Sequence, residues 1–426
     1  MSLKQLNFID LFAGAGGLSE GFIRAGYQPI VHVEMDEAAC YTLKTRAAYH
    51  HYKDINKDFF TSYLKGEIGR TELYKDLPAE LLDSVINFPI GAKFNDKIHR
   101  RISNQLEHNQ IGENEIDLII GGPPCQAYSL IGRARSENGM EGDPRNYLYV
   151  QYARYLERYR PKMFVFENVI GLKSAKGGVY LEKMEALFLK KGYKMHLFTV
   201  EADNFGVLQK RKRIVIIGWR EDIIPNIPDL EAIRLKGEHK VSSIFNDLPK
   251  LQAGEGKDRS QKYRTNVVND YLQETGIRNG LKIVTQHVAR PHRKEDKEIY
   301  RIAVNKWNDE GLRLSYTDLP EELISHKNRV SFLDRFKIVA QDLNYSQTVV
   351  AHISKDGHYY IHPDIEQNRS ITVREAARLQ SFPDDYYFEG VKEGANRTAA
   401  FKQIGNAVPP LMAEKIALVI KDLIKL

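Results

Sequence analysis

Phe8-Ile9-Asp10-Leu11-Phe12 is a short apolar run, and Ala13-Gly14-Ala15-Gly16-Gly17 follows it directly. A helix-like stretch then covers 18–25. Strand, glycine-rich turn and helix in that order point to a parallel α/β sheet, because a parallel neighbour can be reached only through a crossover. Pro29-Ile30-Val31-His32-Val33, Ile116-Asp117-Leu118-Ile119-Ile120 and Met163-Phe164-Val165-Phe166 repeat the apolar run. Helical patterns over 37–46 and 147–159 lie between them. Runs at 193–200 and 213–219 follow closely and read as a hairpin at the sheet edge.

Two stretches break this rhythm. Residues 59–115 are polar and mixed and read as an insertion with some helix. Residues 221–370 are rich in Asn, Gly, Lys, Arg and Asp with weak periodicity, which predicts an irregular second domain rather than more sheet. Periodicity returns after Ser370. Thr372-Val373-Arg374-Glu375 is a capping-box pattern. A last helix begins near Pro409, with Met412, Ile416, Val419, Ile420 and Leu423 on one face. The division this predicts is 1–222, 223–394 and 395–426.

Composition excludes several classes. No apolar run approaches the ~18 residues of a membrane span. The first ten residues lack a basic-then-apolar signal pattern, and only two cysteines, Cys40 and Cys125, are present. A cytoplasmic, reducing setting without a disulfide framework is therefore expected. Lys plus Arg is 62 against 56 Asp plus Glu, a formal +6. That excess permits nucleic-acid binding without demanding it.

The loop after the first strand suits a nucleotide, since glycines let backbone approach a ligand closely. Glu34 ends the second strand, where an acid accepts from ribose hydroxyls. The spacing of Gly14, Gly16 and Gly17 leaves no third glycine at the helix-packing position, which argues against NAD or FAD. Asp10, just before the loop, would repel a pyrophosphate and welcome a cationic group. A nucleoside with a positive substituent fits, and S-adenosyl-L-methionine is the common one.

Gly121-Gly122-Pro123-Pro124-Cys125-Gln126 follows the third apolar run and holds Cys125 on a stiff loop at a strand end. Cys40, inside an apolar helix, reads as core filler. Glu167-Asn168 ends the fourth run at the same edge, where partial desolvation would raise a carboxyl pKa. In Gln209-Lys210-Arg211-Lys212-Arg213 side chains alternate, so Arg211 and Arg213 face one way and the lysines the other. Residues 127–146 carry Gly132, Gly139, Gly142, Arg133, Arg135 and Arg145. They read as a loop closing over substrate, with Ser129 and the arginines meeting phosphates. His352, His358 and His362 lack metal-ligand spacing, and no metal is expected.

Together these residues resemble the cytosine-C5 DNA methyltransferases of the bacterial restriction–modification type. Asp10–Gly17 resembles the first cofactor motif and Glu34 the second. Gly122-Pro123-Pro124-Cys125-Gln126 resembles the nucleophile motif, with Pro123 where many members carry Phe. Glu167-Asn168-Val169 resembles the acid motif and 209–213 the Q-x-R-x-R motif. Arg374-Glu375-Ala376-Ala377-Arg378-Leu379-Gln380-Ser381-Phe382-Pro383 resembles the block supporting the recognition domain. Gln403-Ile404-Gly405-Asn406-Ala407-Val408 resembles the last block. Asp54-Ile55 is the best candidate for the Asp meeting the adenine amino group.

The resemblance implies a Rossmann-like, S-adenosylmethionine-dependent methyltransferase sheet with a smaller target-recognition domain. It implies a cofactor site of Asp10, Phe12, Ala13, Gly14, Gly16, Gly17, Leu18, Glu34, Met35, Asp54, Ile55, Pro123, Asn406 and Ala407. Phe12 would pack on adenine, and the Pro123 carbonyl would accept from the cytosine amine. Cys125 would be the nucleophile, Glu167 the group at N3, and Arg213, supported by Arg211, the cation at O2. The expected partner is double-stranded DNA, bound by a monomer, with a cognate restriction endonuclease acting separately. A tRNA cytosine-C5 methyltransferase shares these blocks, but the long recognition region favours duplex DNA. A Rossmann-type oxidoreductase fits less well, and so does a catalytically dead DNA-binding relative.

Overall fold

The computed structural model describes residues 5–124, 144–223, 227–235, 237–325 and 333–425. Cys125 and most of the expected closing loop, including Ser129, Arg133 and Arg135, lie outside them.

The chain opens with β1 (Asn7–Leu11), α1 (Gly17–Arg24), β2 (Gln28–Glu34) and α2 (Glu37–Ile55). Helices α3 (Lys57–Lys65), α4 (Arg70–Lys75) and α5 (Ala79–Asp83) precede β3 (Val85–Asn87). Then come α6 (Asn95–His108), β4 (Leu118–Gly121), α7 (Leu148–Tyr159), β5 (Met163–Asn168), α8 (Val179–Lys190), β6 (Tyr193–Glu201) and β7 (Lys212–Arg220). These strands form one sheet in the order β3-β2-β1-β4-β5-β7-β6. β1 to β5 pair in parallel, and β7 runs antiparallel to both its neighbours. The α/β expectation holds, and so does the edge hairpin.

The stretch read as an insertion contains a sheet strand, β3. Three residues are too few for a period to register. Helix α2 also runs nine residues past the expected 46, to Ile55.

Alternation along the strands divides the core in two. Ile9, Leu11, Ile119, Phe164 and Phe166 face α6, α7 and α8. Phe8, Leu118, Ile120, Met163 and Val165 face α1 and the last helix, α13 (Pro410–Lys425). That helix buries Met412, Ile416 and Ile420, as its pattern predicts.

Between β7 and the return, short elements dominate. β8 (Gly256–Lys257) pairs with β11 (His287–Val288), and β9 (Gln261–Lys262) with β10 (Ile283–Val284). α9 (Asp270–Glu274) is one short helix and α10 (Lys294–Glu310) a longer one. Ile299, Tyr300, Ala303 and Val304 of α10 join Leu314, Tyr316, Phe336 and Ile361 in a separate cluster. α11 (Val373–Leu379) is buried along its whole length, with the expected capping box formed. The two bonds are reciprocal: Glu375 Oε2 accepts from the Thr372 amide at 2.7 Å, and Thr372 Oγ1 accepts from the Glu375 amide at 3.2 Å. α12 (Arg397–Asn406) leads back to the sheet. Among the described residues no helix is long and apolar enough to cross a membrane.

Candidate active site

The sheet reverses its winding between β1 and β4, which opens a crevice at the carboxyl ends of those strands. The glycine-rich loop lies on one side of it. Phe12, Gly14 and Gly16 have φ of 59°, 56° and 82°, the left-handed region. For the bulky Phe12 this costs of order 1–3 kcal/mol, held by the surrounding packing. A Cβ on Gly14 would meet nothing within 4 Å, so the loop is open there. A Cβ on Gly17 would come 2.2 Å from the Val408 carbonyl oxygen, and one on Gly21 2.4 Å from Ala413 Cβ. Helix-packing glycines therefore exist after all. They face the returning chain, a contact between opposite ends of the sequence.

Glu34 organises the loop. Its Oε2 accepts from the Gly14 amide at 2.8 Å, and its Oε1 accepts from the Met35 and Asp36 amides at 2.8 and 2.7 Å. Burial nevertheless pushes its carboxyl above the ordinary range. Three of its roughly four acceptor positions are filled by backbone. Beside it Met35 is 64% exposed, an apolar side chain at the crevice rim.

Asn87, opposite Glu34 in the β2–β3 register, was not anticipated. Its Nδ2 donates to the Glu34 and Met35 carbonyls, both at 3.1 Å, and approaches Cys40 Sγ at 3.2 Å. Cys40 is buried, as a core filler should be, and burial pushes its thiol up to about 12. Asp54 and Ile55 are not brought to this edge. They end α2, a 19-residue helix whose first turn is the one beside Glu34, so about 27 Å of helix separates them from it. Ile55 is largely exposed there.

Asp10 also departs from expectation. Alternation along β1 turns it away from the loop's open side, beneath α1, where its Oδ2 lies 3.4 Å from His32 Nδ1. Burial pushes its carboxyl up.

On the other side of the crevice stands the loop after β4. A Cβ on Gly121 would lie 2.3 Å from the Leu11 carbonyl oxygen, and one on Gly122 2.9 Å from Glu167 Oε2. This glycine pair thus lets the two strand ends and the Glu167 carboxylate come together. Asn168 Nδ2 donates to the Pro123 carbonyl at 3.1 Å, fixing the loop just before Cys125. Glu167 pairs with Arg213, Nε to Oε1 at 3.0 Å. Burial raises the Glu167 carboxyl, and Arg213 and Arg211 offset only part of that.

Arg211 does not share the position of Arg213. It is buried, donating from Nη1 to the Val349 carbonyl at 2.9 Å and from Nη2 to the Gly405 carbonyl at 3.3 Å. It precedes the first residue of β7, so the strand register that aims Arg213 does not govern it. Gln209 works alongside: its Oε1 accepts from the Val349 amide at 2.7 Å and its Nε2 donates to the Leu379 carbonyl at 3.1 Å. These two side chains stitch the returning chain to the sheet.

Ala407 and Val408 pack on Gly17, which brings the last sequence block to the loop. Asn406 is exposed at the end of α12. Leu18 and Ala13 are buried beside the loop. Arg145 lies in the turn Pro144–Tyr147. His352, His358 and His362 have separate partners, Asp356, Tyr300 and Glu375.

The C-5 cytosine-specific DNA methylase family model matches residues 6–65 and 86–422. The match resumes at β3, so the added segment is 66–85 rather than all of 59–115. The type II methyltransferase M.Bpa9945I of Bacillus paralicheniformis is 41% identical, covering 98% of each chain. The type II methyltransferase M.DdeI of Desulfomicrobium norvegicum is 32% identical over 97% of this chain and 88% of its own. A crystal structure described as a DNA modification methyltransferase encoded within a prophage (E. coli) superposes with a TM-score of 0.64 at 22% identity. It covers 99% of this chain and all of its own. At that identity it speaks for the fold alone.

Proposed function

Since the chain belongs to the C-5 cytosine-specific DNA methylase family, we propose that it transfers a methyl group from S-adenosyl-L-methionine to C5 of a cytosine in duplex DNA. The observation that carries this is the Glu167–Arg213 pair beside the Pro123 loop, one strand away from the glycine-rich loop. The named relatives are type II methyltransferases, which favours duplex DNA over tRNA and a role beside a separate restriction endonuclease.

The donor set suits S-adenosylmethionine. Gly14 leaves open space, Met35 offers an apolar surface, and Asn87 and Glu34 lie side by side at the strand ends. Phe12, Gly14, Glu34, Met35, Asn87 and Ala407 would hold it. When bound, it supplies an electrophilic methyl group.

The remaining chemistry belongs to the protein. Cys125, as a thiolate, adds to C6 of the base. Glu167, held above its ordinary pKa by burial, keeps a proton at N3, so that electron density moves to C5. Arg213 offsets negative charge at O2 in a water-poor site. Once C5 carries the new methyl group, its proton passes to water, the C–H electron pair re-forms the C5=C6 bond, and Cys125 leaves as the thiolate. A stacked base cannot reach these groups, so the cytosine flips out of the duplex. Residues 223–394 read the sequence, while 1–222 and 395–426 perform the reaction.

Expression in a methylation-free host followed by bisulfite sequencing tests this. One recurring sequence should carry 5-methylcytosine. Unmodified DNA, with methyl transfer to tRNA in vitro, would overturn it.

A further inference from the structure

The segment after α11 reaches into the glycine-rich loop. Tyr386 donates its hydroxyl to the Ala15 carbonyl at 2.5 Å, and both residues are buried. A Cβ on Gly16 would lie 2.9 Å from the same hydroxyl. Phe382, edge-on to the Tyr386 ring at 4.8 Å, backs Gly17. The neighbouring Asp385 accepts from Arg46 Nη1 at 2.7 Å, and Arg46 grips Glu20 of α1 through Nε and Nη2 at 2.9 and 2.6 Å. Arg46 also lies 4.8 Å over the Tyr386 ring.

The other side of this segment is bound to the region between β7 and α11. Asp384 accepts from the Tyr263 hydroxyl at 2.6 Å and from Arg378 Nη2 at 2.6 Å. Arg378 in turn donates from Nη1 to Asp247 at 2.5 Å. Three consecutive residues, Asp384, Asp385 and Tyr386, thus hold the recognition region on one side and the loop on the other. Every link is buried, where such bonds are least screened.

We propose that Tyr386 is a positioning residue that ties the loop to the recognition region, so that cofactor affinity and duplex affinity are linked. It rests on the assignment of S-adenosylmethionine to the loop. The linkage is reciprocal: whatever factor DNA applies to the cofactor, the cofactor applies to DNA.

The test measures S-adenosylhomocysteine binding by calorimetry, with and without a duplex carrying the site mapped by bisulfite sequencing. The wild-type protein should bind the nucleoside at least about 5-fold more tightly with the duplex, and Tyr386→Phe less than about 2-fold. The KM for S-adenosylmethionine should rise in Tyr386→Phe while kcat changes little. Tyr387→Phe is the control. It removes an adjacent, comparable hydroxyl bond, to Asp258 at 2.6 Å, that does not touch the loop, and it should retain the wild-type ratio. An unchanged ratio in Tyr386→Phe, or an equal loss in Tyr387→Phe, overturns the proposal while leaving the cofactor assignment intact. Failure of the wild-type protein to bind the nucleoside at all overturns both.

Discussion

Arg213 Nε lies 3.0 Å from Glu167 Oε1, at the ends of two antiparallel neighbours, β7 and β5. The guanidinium favours the carboxylate, yet burial wins and the carboxyl stays above its ordinary range. A carboxyl raised in this way holds a proton more readily than an exposed one. Glu167→Gln keeps the shape and removes the titration. Its single-turnover methyl transfer rate should fall about 10²–10⁴-fold. A rate equal to wild type would remove Glu167 from the chemistry.

Cys125→Ala should abolish methyl transfer while leaving duplex binding in a gel-shift assay, because phosphate contacts carry most of that affinity. DNA with 5-fluorocytosine at the target should trap the wild-type protein covalently, since C5 then has no proton to lose. A denaturing gel without a shifted band would rule out addition at C6.

Asn87 and Asp54 make opposite predictions. Asn87→Ala should raise the KM for S-adenosylmethionine about 10-fold, the equivalent of one lost hydrogen bond. Asp54→Ala, at the exposed end of α2, should leave it within about 2-fold. The reverse result would restore Asp54 to the cofactor site.

Gly21→Ala is expected to destabilise although alanine favours a helix by about 1 kcal/mol. The new methyl would lie 2.5 Å from the Glu414 amide and 2.6 Å from the Pro410 carbonyl oxygen. Those are backbone atoms that cannot rotate aside, and overpacking costs about 1–3 kcal/mol. Urea unfolding should show a lower midpoint; a higher one would mean that α1 and α13 are looser than described.

Acid should weaken the region around α11. Burial holds His287 down to about 4, and His292 and His362 down to about 3. Unfolding returns each to about 6.5. Between about pH 6.5 and pH 4 the unfolded chain therefore binds more protons, and stability falls as pH is lowered, by about 1.4 kcal/mol per pH unit for each histidine. For Glu375 burial acts upward, but the Arg369 guanidinium overrides it and holds the carboxyl well below its usual range. It adds to the loss only below pH ~4.5. The Tm should drop between pH 7.5 and 5; a flat profile would contradict the buried neutral histidines.

Some features were legible in residue order alone. The strand–loop–helix opening, the edge hairpin, the capping box at Thr372 and Glu375, and the apolar face of α13 all rest on local periodicity or capping chemistry. Parallel pairing then forces the ends of β1, β2, β4 and β5 to one edge, so Gly14, Glu34, Pro123 and Glu167 had to be neighbours. Other features were decided by contacts between distant parts of the chain. β3 is too short to show a period, so the placement of Asn87 opposite Glu34 was invisible. The turn of Asp10 beneath α1 depends on which sheet face that helix covers. Arg211 finds its carbonyl partners 138 and 194 residues away, and Tyr386 reaches Ala15 across 371. Residue order sets dihedral preference and period over a few turns, whereas the partner a buried polar group finds depends on how separate layers pack.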